Sequence, residues 1–542
     1  MSDKLILPVE VAGITFKNPF YVSSGPTART LEQLLAIEKA GWAAASLKLC
    51  IDPEPYINRY PRYALFPQYG ALGFTAEKRL SYNEGLALMS EAKKSVRELI
   101  LMANITYSGD KGLDGWVDMA LGFEAAGADI IELNMCCPNM SFNVQTTAGN
   151  KEAIDHKTGA SLGQSAEEVA AVVSAAKARL GIPLFVKLTP EGGGIGLVAK
   201  AAYSAGADAV GGTANRLGMP PIDLENPDKG IFHLQDEVGM ACMCGSWLKP
   251  LAQRDTYEMR KICGPDIPIM ATGGIRNAND ALEMAMCGGD LIGICTETLI
   301  RGYNFIEEVI EESKTWLHNH GHTNFRDIRD LMVPAVKAAS ELTLYRGYAQ
   351  VIKPDTIAPC MAACPKHIEI QAVLKNISEN NWTRAFELSA GSEYCDKCSA
   401  PCEIACVRGR ADNAISIRDI ILYLKEQAED SGVNLPAGQD SKPENRSVAK
   451  ASDVLMKRTI HDIKAAKASI NENTIYNEAK RCLRCGCGEG CGVCQGLCTE
   501  FAISYNRENQ ITIDQNRCVA CGMCYNCCPN KNIQMFNTGE II

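Results

Sequence analysis

Residues 126–134 read AGADIIELN, and variants of the phrase recur as AGWAAASLK at 40–48, AGADAVGGTAN at 205–215 and CGGDLIGICT at 287–296. In each, small residues and a glycine close a helix-forming stretch, and a short apolar run of the kind found in buried strands follows. Helices alternating with such strands imply a parallel sheet. Repeated over residues 1–315, the pattern predicts a closed (β/α)8 TIM barrel, an α/β fold whose competitor is an open doubly wound sheet. The strand ends favour the barrel. The runs finish on polar or reactive side chains, Lys48, Asn134, Asn215 and Thr296, and barrels assemble their chemistry at the C-terminal ends of their strands. EGGGIG at 191–196 lacks the spacing and acidic partner of a dinucleotide fingerprint, so it is read as a loop after the strand LFVKLTP.

A chain of 542 residues with 46% hydrophobic content has material for more than one core. Its net charge of −10 leaves no basic footprint for nucleic acid or an anionic membrane. The N-terminal MSDKLILPVEVAGITF is too short in its apolar run for a signal peptide, and no stretch reaches the roughly 18 apolar residues of a membrane span. The expectation is a cytoplasmic protein. In a reducing compartment, dense cysteine groups are metal sites and not disulfides. Eight of the 25 cysteines precede residue 300, and seventeen crowd between Cys360 and Cys528.

The composition divides the rest of the chain into a helical connector at 316–358, a helical cysteine-rich domain at 359–430, a linker and helix at 431–480 and a ferredoxin-like domain at 481–542. The last carries the most specific motif, Cys518-x2-Cys521-x2-Cys524-x3-Cys528-Pro529, in which three close thiolates hold one cluster and the fourth reaches its neighbour. Its partner is Cys487-x3-Cys491-x2-Cys494-x3-Cys498. Together they imply two [4Fe–4S] clusters, Cys498 serving the second and Cys528 the first. RCLRC at 481–485, APCMAACP at 358–365 and CDKCSAPCEIAC at 395–406 supply further thiolates, for which two structural zinc sites are the competing reading.

These three elements resemble the iron–sulfur module of dihydropyrimidine dehydrogenase and of the small subunit of bacterial glutamate synthase. The resemblance implies that Cys360, Cys406, Cys482 and Cys485 hold one cluster, and that Cys364, Cys398 and Cys402 hold another. In those relatives the RCLRC-like element comes first, whereas here it follows about 120 residues later. In dihydropyrimidine dehydrogenase a glutamine completes the second cluster just beyond the segment matching Ala414 to Ile417. Here Arg418, Asp419 and Ile420 stand there, so Asp419 or the spare Cys395 is left for that place.

The barrel resembles dihydropyrimidine dehydrogenase and the class 1 dihydroorotate dehydrogenases through SSGP (23–26), LKLC (47–50), ELNMCCPN (132–139), VKLTP (186–190), GGTAN (211–215), CGSWLKP (244–250), ATGGI (271–275) and CTETL (295–299). The resemblance implies FMN, with Ser24, Gly25, Gly245, Gly273, Gly274, Cys295 and Thr296 around it and Lys48 and Lys187 beside the ring. It also implies that Asn83, Asn134, Asn139 and Asn215 hold a planar ring bearing carbonyl and N–H groups, as an amide offers both a donor and an acceptor. Cys137 falls where these families carry the cysteine that moves the C5 proton while hydride passes between C6 and the flavin, and Cys136 is read as packing. Arg216 replaces a usual threonine and is read either as a carboxylate clamp or as a surface residue.

The function expected is interconversion of a uracil- or thymine-like pyrimidine and its 5,6-dihydro form. An acidic conjugated ring such as orotate is the alternative, and an electron-transfer flavoprotein subunit a more remote one. Four [4Fe–4S] clusters would wire the flavin to a separate partner, a ferredoxin or an NAD(P)-dependent flavoprotein subunit, because the motifs include no nicotinamide site. The resemblance further implies a homodimer.

Overall fold

A computed structural model describes the chain apart from residues 1–6, 54–62, 75–78, 138–157, 213–214, 220, 229–240, 344–346, 353–355, 433–445, 459, 461, 467–468, 507–508 and 540–542. It divides into two units, Met1–Ser340 and Glu341–Ile542.

The first unit is the barrel. Its strands are β1 (Phe20–Val22), β2 (Ala44–Ser46), β3 (Ile100–Tyr107), β4 (Ile130–Met135), β5 (Leu184–Leu188), β6 (Ala209–Gly212), β7 (Ile269–Thr272) and β8 (Leu291–Ile294). Each pairs in parallel with the next, and β8 returns to β1 through Ile292↔Phe20, so the eight strands close into a barrel. Helices α1 (Leu31–Lys39), α2 (Tyr82–Ser95), α3 (Leu113–Ala125), α4 (Ala166–Lys177), α5 (Ile195–Ser204), α6 (Lys249–Cys263), α7 (Ala278–Met286) and α8 (Phe305–Asn319) alternate with them.

The recurring phrase now has a structural meaning. Its glycines, Gly41, Gly127, Gly206 and Gly288, all have positive φ, the left-handed stop that ends a helix. In three copies the aspartate just beyond also sets register. Asp129 accepts from Leu101 N–H and Lys93, Asp208 from Leu184 N–H and Lys177, and Asp290 from Ile269 N–H and Arg260. Each aspartate thus ties the start of a neighbouring strand to a basic residue on a surrounding helix. The strands are almost wholly apolar because a parallel sheet wrapped in helices is buried on both faces.

Two excursions leave this plan. Segments following β2 and β6 build an antiparallel sheet in which Arg216–Gly218 pairs with Ala241–Gly245, that strand with Ala71–Phe74, and the last with Tyr63–Phe66. Leu72, Phe74, Cys242, Cys244 and Leu248 form its own small core. EGGGIG, read as a loop, is a turn only as far as Gly194, which caps α5; Ile195 and Gly196 already belong to that helix.

Residues 316–358, expected to be mostly helical, are not. They finish α8, pass through two short 3-10 turns and then form the strand Tyr348–Ile352, which pairs antiparallel with Ile533–Asn537 at the far end of the chain. A segment read as a connector therefore supplies one of the two strands of a sheet made with the last strand of the ferredoxin-like domain. The helix expected beyond the linker is also short, ending at Lys457 before a separate helix, Glu472–Lys480. The rest of the described second unit is helices and turns that carry the cysteines, with two more two-stranded ladders, Thr356–Ile357 with Ser447–Val448 and Ile503–Tyr505 with Ile511–Ile513. Val373, Leu374, Ile377, Ile420, Ile421 and Leu424 form one of its apolar clusters.

Candidate active site

One cavity of about 430 Å³ opens among the C-terminal ends of the barrel strands, within the range usual for small-molecule sites. Ser24, Gly25, Lys48, Lys187, Gly245, Gly273, Gly274, Cys295 and Thr296 all line it, together with Cys137, Asn134 and Asn215. Residues up to 272 positions apart thus meet in one place, because every strand of a barrel delivers its last residue to the same rim.

The loop after β7 is shaped for close backbone approach. Gly274 has φ of 75°, and a Cβ there would lie 2.5 Å from the Lys249 backbone nitrogen. Across the cavity a Cβ on Gly25 would lie 2.3 Å from the Cys295 sulfur. Arg276 also lines this end, and Asp280 fastens it by accepting from its N–H and its guanidinium, each at 3.0 Å. Lys249 holds the same carboxylate at 2.6 Å.

Polar groups inside the barrel run in a chain toward Cys137. The buried Glu132 accepts from Ser46 and from the Asn104 amide. A carboxylate only accepts, so Asn104 must turn its carbonyl the other way, where it receives the Asn134 amide at 2.9 Å. The Asn134 carbonyl is left to accept the N–H groups of Cys136 and Cys137, at 3.3 and 3.2 Å. Asn134 therefore shapes the turn that carries Cys137, and one amide hydrogen remains for the cavity. Lys187 is buried and donates to Ser23 at 3.0 Å. Burial pulls its ammonium down, but Glu132 and the nearby thiols outweigh this and hold it above the ordinary lysine value. It stays charged.

Cys136 is fully enclosed, and burial pushes its thiol up to about 12, which suits packing and not proton transfer. Cys137 faces the cavity, and its carbonyl accepts from Ala160 N–H at 3.2 Å. The guanidinium of Arg79, 5% exposed, lies 3.6 Å from its sulfur and lines the same cavity. Sequence reading passed over Arg79.

Two expected ring-binding residues lie elsewhere. Asn83 is exposed on the first turn of α2, between Ser81 and Glu84, which form a capping box. That S-x-x-E signal was legible and places Asn83 inside the helix. Arg216 is not a carboxylate clamp on the cavity: it donates at 3.1 Å to the fully buried Asp255 and is absent from the lining. Asn139 lies outside the described residues.

In the second unit, Cys360, Cys406, Cys482 and Cys485 line one small apolar cavity, and Cys364, Cys398 and Cys402 line another. In the ferredoxin-like part the buried Cys494 thiol is pushed up to about 12 by burial and by Cys491, Cys528 and Cys487. Cys528 thus sits with the other group's cysteines, as the crossed spacing requires. Among the described residues no three side chains converge on a single metal ion. A cubane asks for a wider arrangement, since each thiolate binds its own iron.

Residues 6–317 match the sequence profile of the dihydroorotate dehydrogenase family. The chain belongs to that family. Residues 355–433 match dihydropyrimidine dehydrogenase domain II, 4Fe-4S cluster. Among relatives, the NAD-dependent dihydropyrimidine dehydrogenase subunit PreA of Escherichia coli K12 is 26% identical over 347 residues, covering 62% of this chain and 79% of its own. The catalytic subunit of dihydroorotate dehydrogenase B (NAD(+)) of Lachnoclostridium phytofermentans is 28% identical, over 60% of this chain and 97% of its own. The chloroplastic dihydropyrimidine dehydrogenase (NADP(+)) of Arabidopsis thaliana is 22% identical, over 60% and 76%.

As a member of the dihydroorotate dehydrogenase family the protein is an oxidoreductase acting on CH–CH bonds. The family implies FMN, and the second profile implies iron–sulfur clusters. The cavity fits a flavin nucleotide: a glycine-lined end admits backbone contact with a phosphate, and two buried lysines lie farther in. No helix among the described residues is long and apolar enough to cross a membrane.

Proposed function

We propose that the barrel interconverts a pyrimidine-like ring and its 5,6-dihydro form, and that the second unit connects this reaction to a separate electron-transfer partner. The observation that carries the reading is that Cys137 opens onto the same cavity as the residues suited to FMN. FMN, when bound, supplies hydride-level redox chemistry. Gly273, Gly274, Cys295 and Thr296 would hold its phosphate end and Ser24, Gly25 and Gly245 its body, while Lys48 and Lys187 place positive charge beside the ring. Cys137 gives or takes the proton at C5 of the substrate. Asn134, through its remaining amide hydrogen, and Asn215 orient the substrate's polar edge.

The cysteine groups would hold four [4Fe–4S] clusters, whose chemistry is one-electron transfer. The relative named as a subunit of an NAD-dependent enzyme supports a flavoprotein subunit as the partner, with a ferredoxin as the alternative. A second reading, an acidic ring such as orotate, is favoured by one observation, the buried Arg79 in the cavity wall. A guanidinium pairs with a carboxylate through two parallel hydrogen bonds.

The test is anaerobic stopped-flow absorbance on dithionite-reduced protein mixed with uracil, thymine or orotate. Reoxidation by at least one of these is expected. Failure of all three, with FMN and iron contents intact, removes the reading.

A further inference from the structure

Cys395 lies in the 3-10 turn Ser392–Lys397, and its carbonyl accepts the Cys398 N–H at 3.3 Å. The turn brings its side chain into the wall of the cavity that Cys364, Cys398 and Cys402 also line. The rest of that wall is mainly apolar, with Ile368, Ile417 and Ile421 prominent, and it includes no carboxylate or imidazole. Four thiols on one small, mainly apolar cavity are the number a cubane takes.

The neighbouring helix, Ile417–Asp430, explains why cysteine and not aspartate fills the fourth place. Ile417 and Ile421 face the cavity, whereas Asp419 is exposed and absent from its lining. Arg418 between them reaches back over the turn: its Nε donates to the Cys395 carbonyl and an amino group to the Asp396 carbonyl, both at 3.0 Å. Its own N–H is held by Glu403 at 2.8 Å. The guanidinium thus clamps the backbone of the turn that carries Cys395.

We infer that Cys395 is the fourth ligand of the cluster held by Cys364, Cys398 and Cys402, which makes this an all-thiolate [4Fe–4S] site. The inference rests on the iron–sulfur reading of the second unit and is independent of what the barrel turns over. Full thiolate ligation gives the cluster more negative charge than a neutral fourth ligand would. Its reduction potential is correspondingly lower, since net charge is one of the terms that set it.

The test uses the full-length protein, purified anaerobically with about sixteen iron atoms per chain, four clusters of four. Brief iodoacetamide treatment and peptide mass spectrometry should find the exposed Cys527 alkylated and Cys395 protected until a chelator strips the iron. Cys395→Ala should lose at least one iron and show the EPR signal of an oxidised three-iron cluster. Asp419→Ala should keep full iron and an unchanged spectrum. Cys395→Ser, whose oxygen can still ligate, should keep the iron and shift one midpoint potential in an EPR-monitored titration. The inference fails if Cys395 is alkylated as fast as Cys527 in iron-replete protein, or if Cys395→Ala keeps full iron and the wild-type EPR spectrum. The labelling arm needs no variant, so misfolding of one does not protect the idea.

Discussion

The guanidinium of Arg79 lies 3.6 Å from the sulfur of Cys137, and both line the cavity of the barrel. Arg79 comes from the segment after β2 and Cys137 from just beyond β4, 58 positions apart. A fixed cation beside the residue proposed to move the substrate proton bears on two things, the chemistry of Cys137 and the charge of the ring that sits against it.

Cys137→Ala isolates the first. FMN content, iron content and reduction by dithionite should match the wild type, because none of them moves a substrate proton. Reoxidation by the oxidised ring should slow by about 10² to 10⁴, the usual contribution of a positioned acid or base. Stopped-flow absorbance of the flavin measures this step alone. A wild-type rate would assign the proton to another group.

Arg79→Leu isolates the second. If the ring carries a carboxylate, the half-saturating concentration of orotate should rise about 10- to 100-fold, the loss of a hydrogen bond to a charged group, with uracil or thymine changed less than about threefold. Arg79→Lys should recover only part of this, because an ammonium lacks the planar fork. Equal losses on neutral and acidic rings would show that Arg79 serves Cys137 or the fold and not the substrate's charge.

Arg216 offers the matching control. Its partner Asp255 is wholly buried, but Arg254 also holds that carboxylate, at 2.7 Å. Arg216→Gln should therefore cost the barrel about 1–3 kcal/mol and leave the preference between neutral and acidic rings unchanged. Thermal unfolding together with ring competition reads both. A changed preference would return Arg216 to the site.

Asp280 gives a pH dependence. Burial pushes its carboxyl up, but the hydrogen bonds from Arg276 and Lys249 outweigh this and hold it below the usual value. Its folded pKa is thus depressed, so its stabilisation is complete above the unfolded value of about 3.9 and is lost as pH falls below that. The temperature at which flavin fluorescence appears should drop on acidification toward that range. Asp280→Asn should lower it at pH 7 and flatten the acid limb. Parallel curves for the two proteins would mean that this carboxylate does not link pH to the stability of the loop after β7.

Much of this protein is legible without coordinates, and for a local reason. A glycine that stops a helix and an apolar run that starts a strand are short-range signals, so AGAD and its variants announce the barrel and place Lys48, Asn134 and Asn215 at its mouth. Cysteine spacing is likewise local within 491–498 and 518–528, whereas the meeting of Cys360 and Cys406 with Cys482 and Cys485 was implied only by the family resemblance. The Ser81–Glu84 capping box was equally readable and would have removed Asn83.

Tertiary structure alone decided what depends on segments that meet from afar. Ala71–Phe74 and Ala241–Gly245 pair through antiparallel hydrogen bonds across about 170 residues, and no local pattern sets that register. The approach of Arg79 to Cys137 and the capture of Arg216 by Asp255 likewise join residues 58 and 39 positions apart. Tyr348–Ile352 read as connector because a strand's partner is not written beside it, and its partner here is at the end of the chain. Whether Cys395 or Asp419 turns toward the second cysteine cavity was open in the sequence for the same reason. The structure places Cys395 in the wall of that cavity and leaves Asp419 out of it, with Arg418 bonded to the backbone of the Cys395 turn 23 residues away.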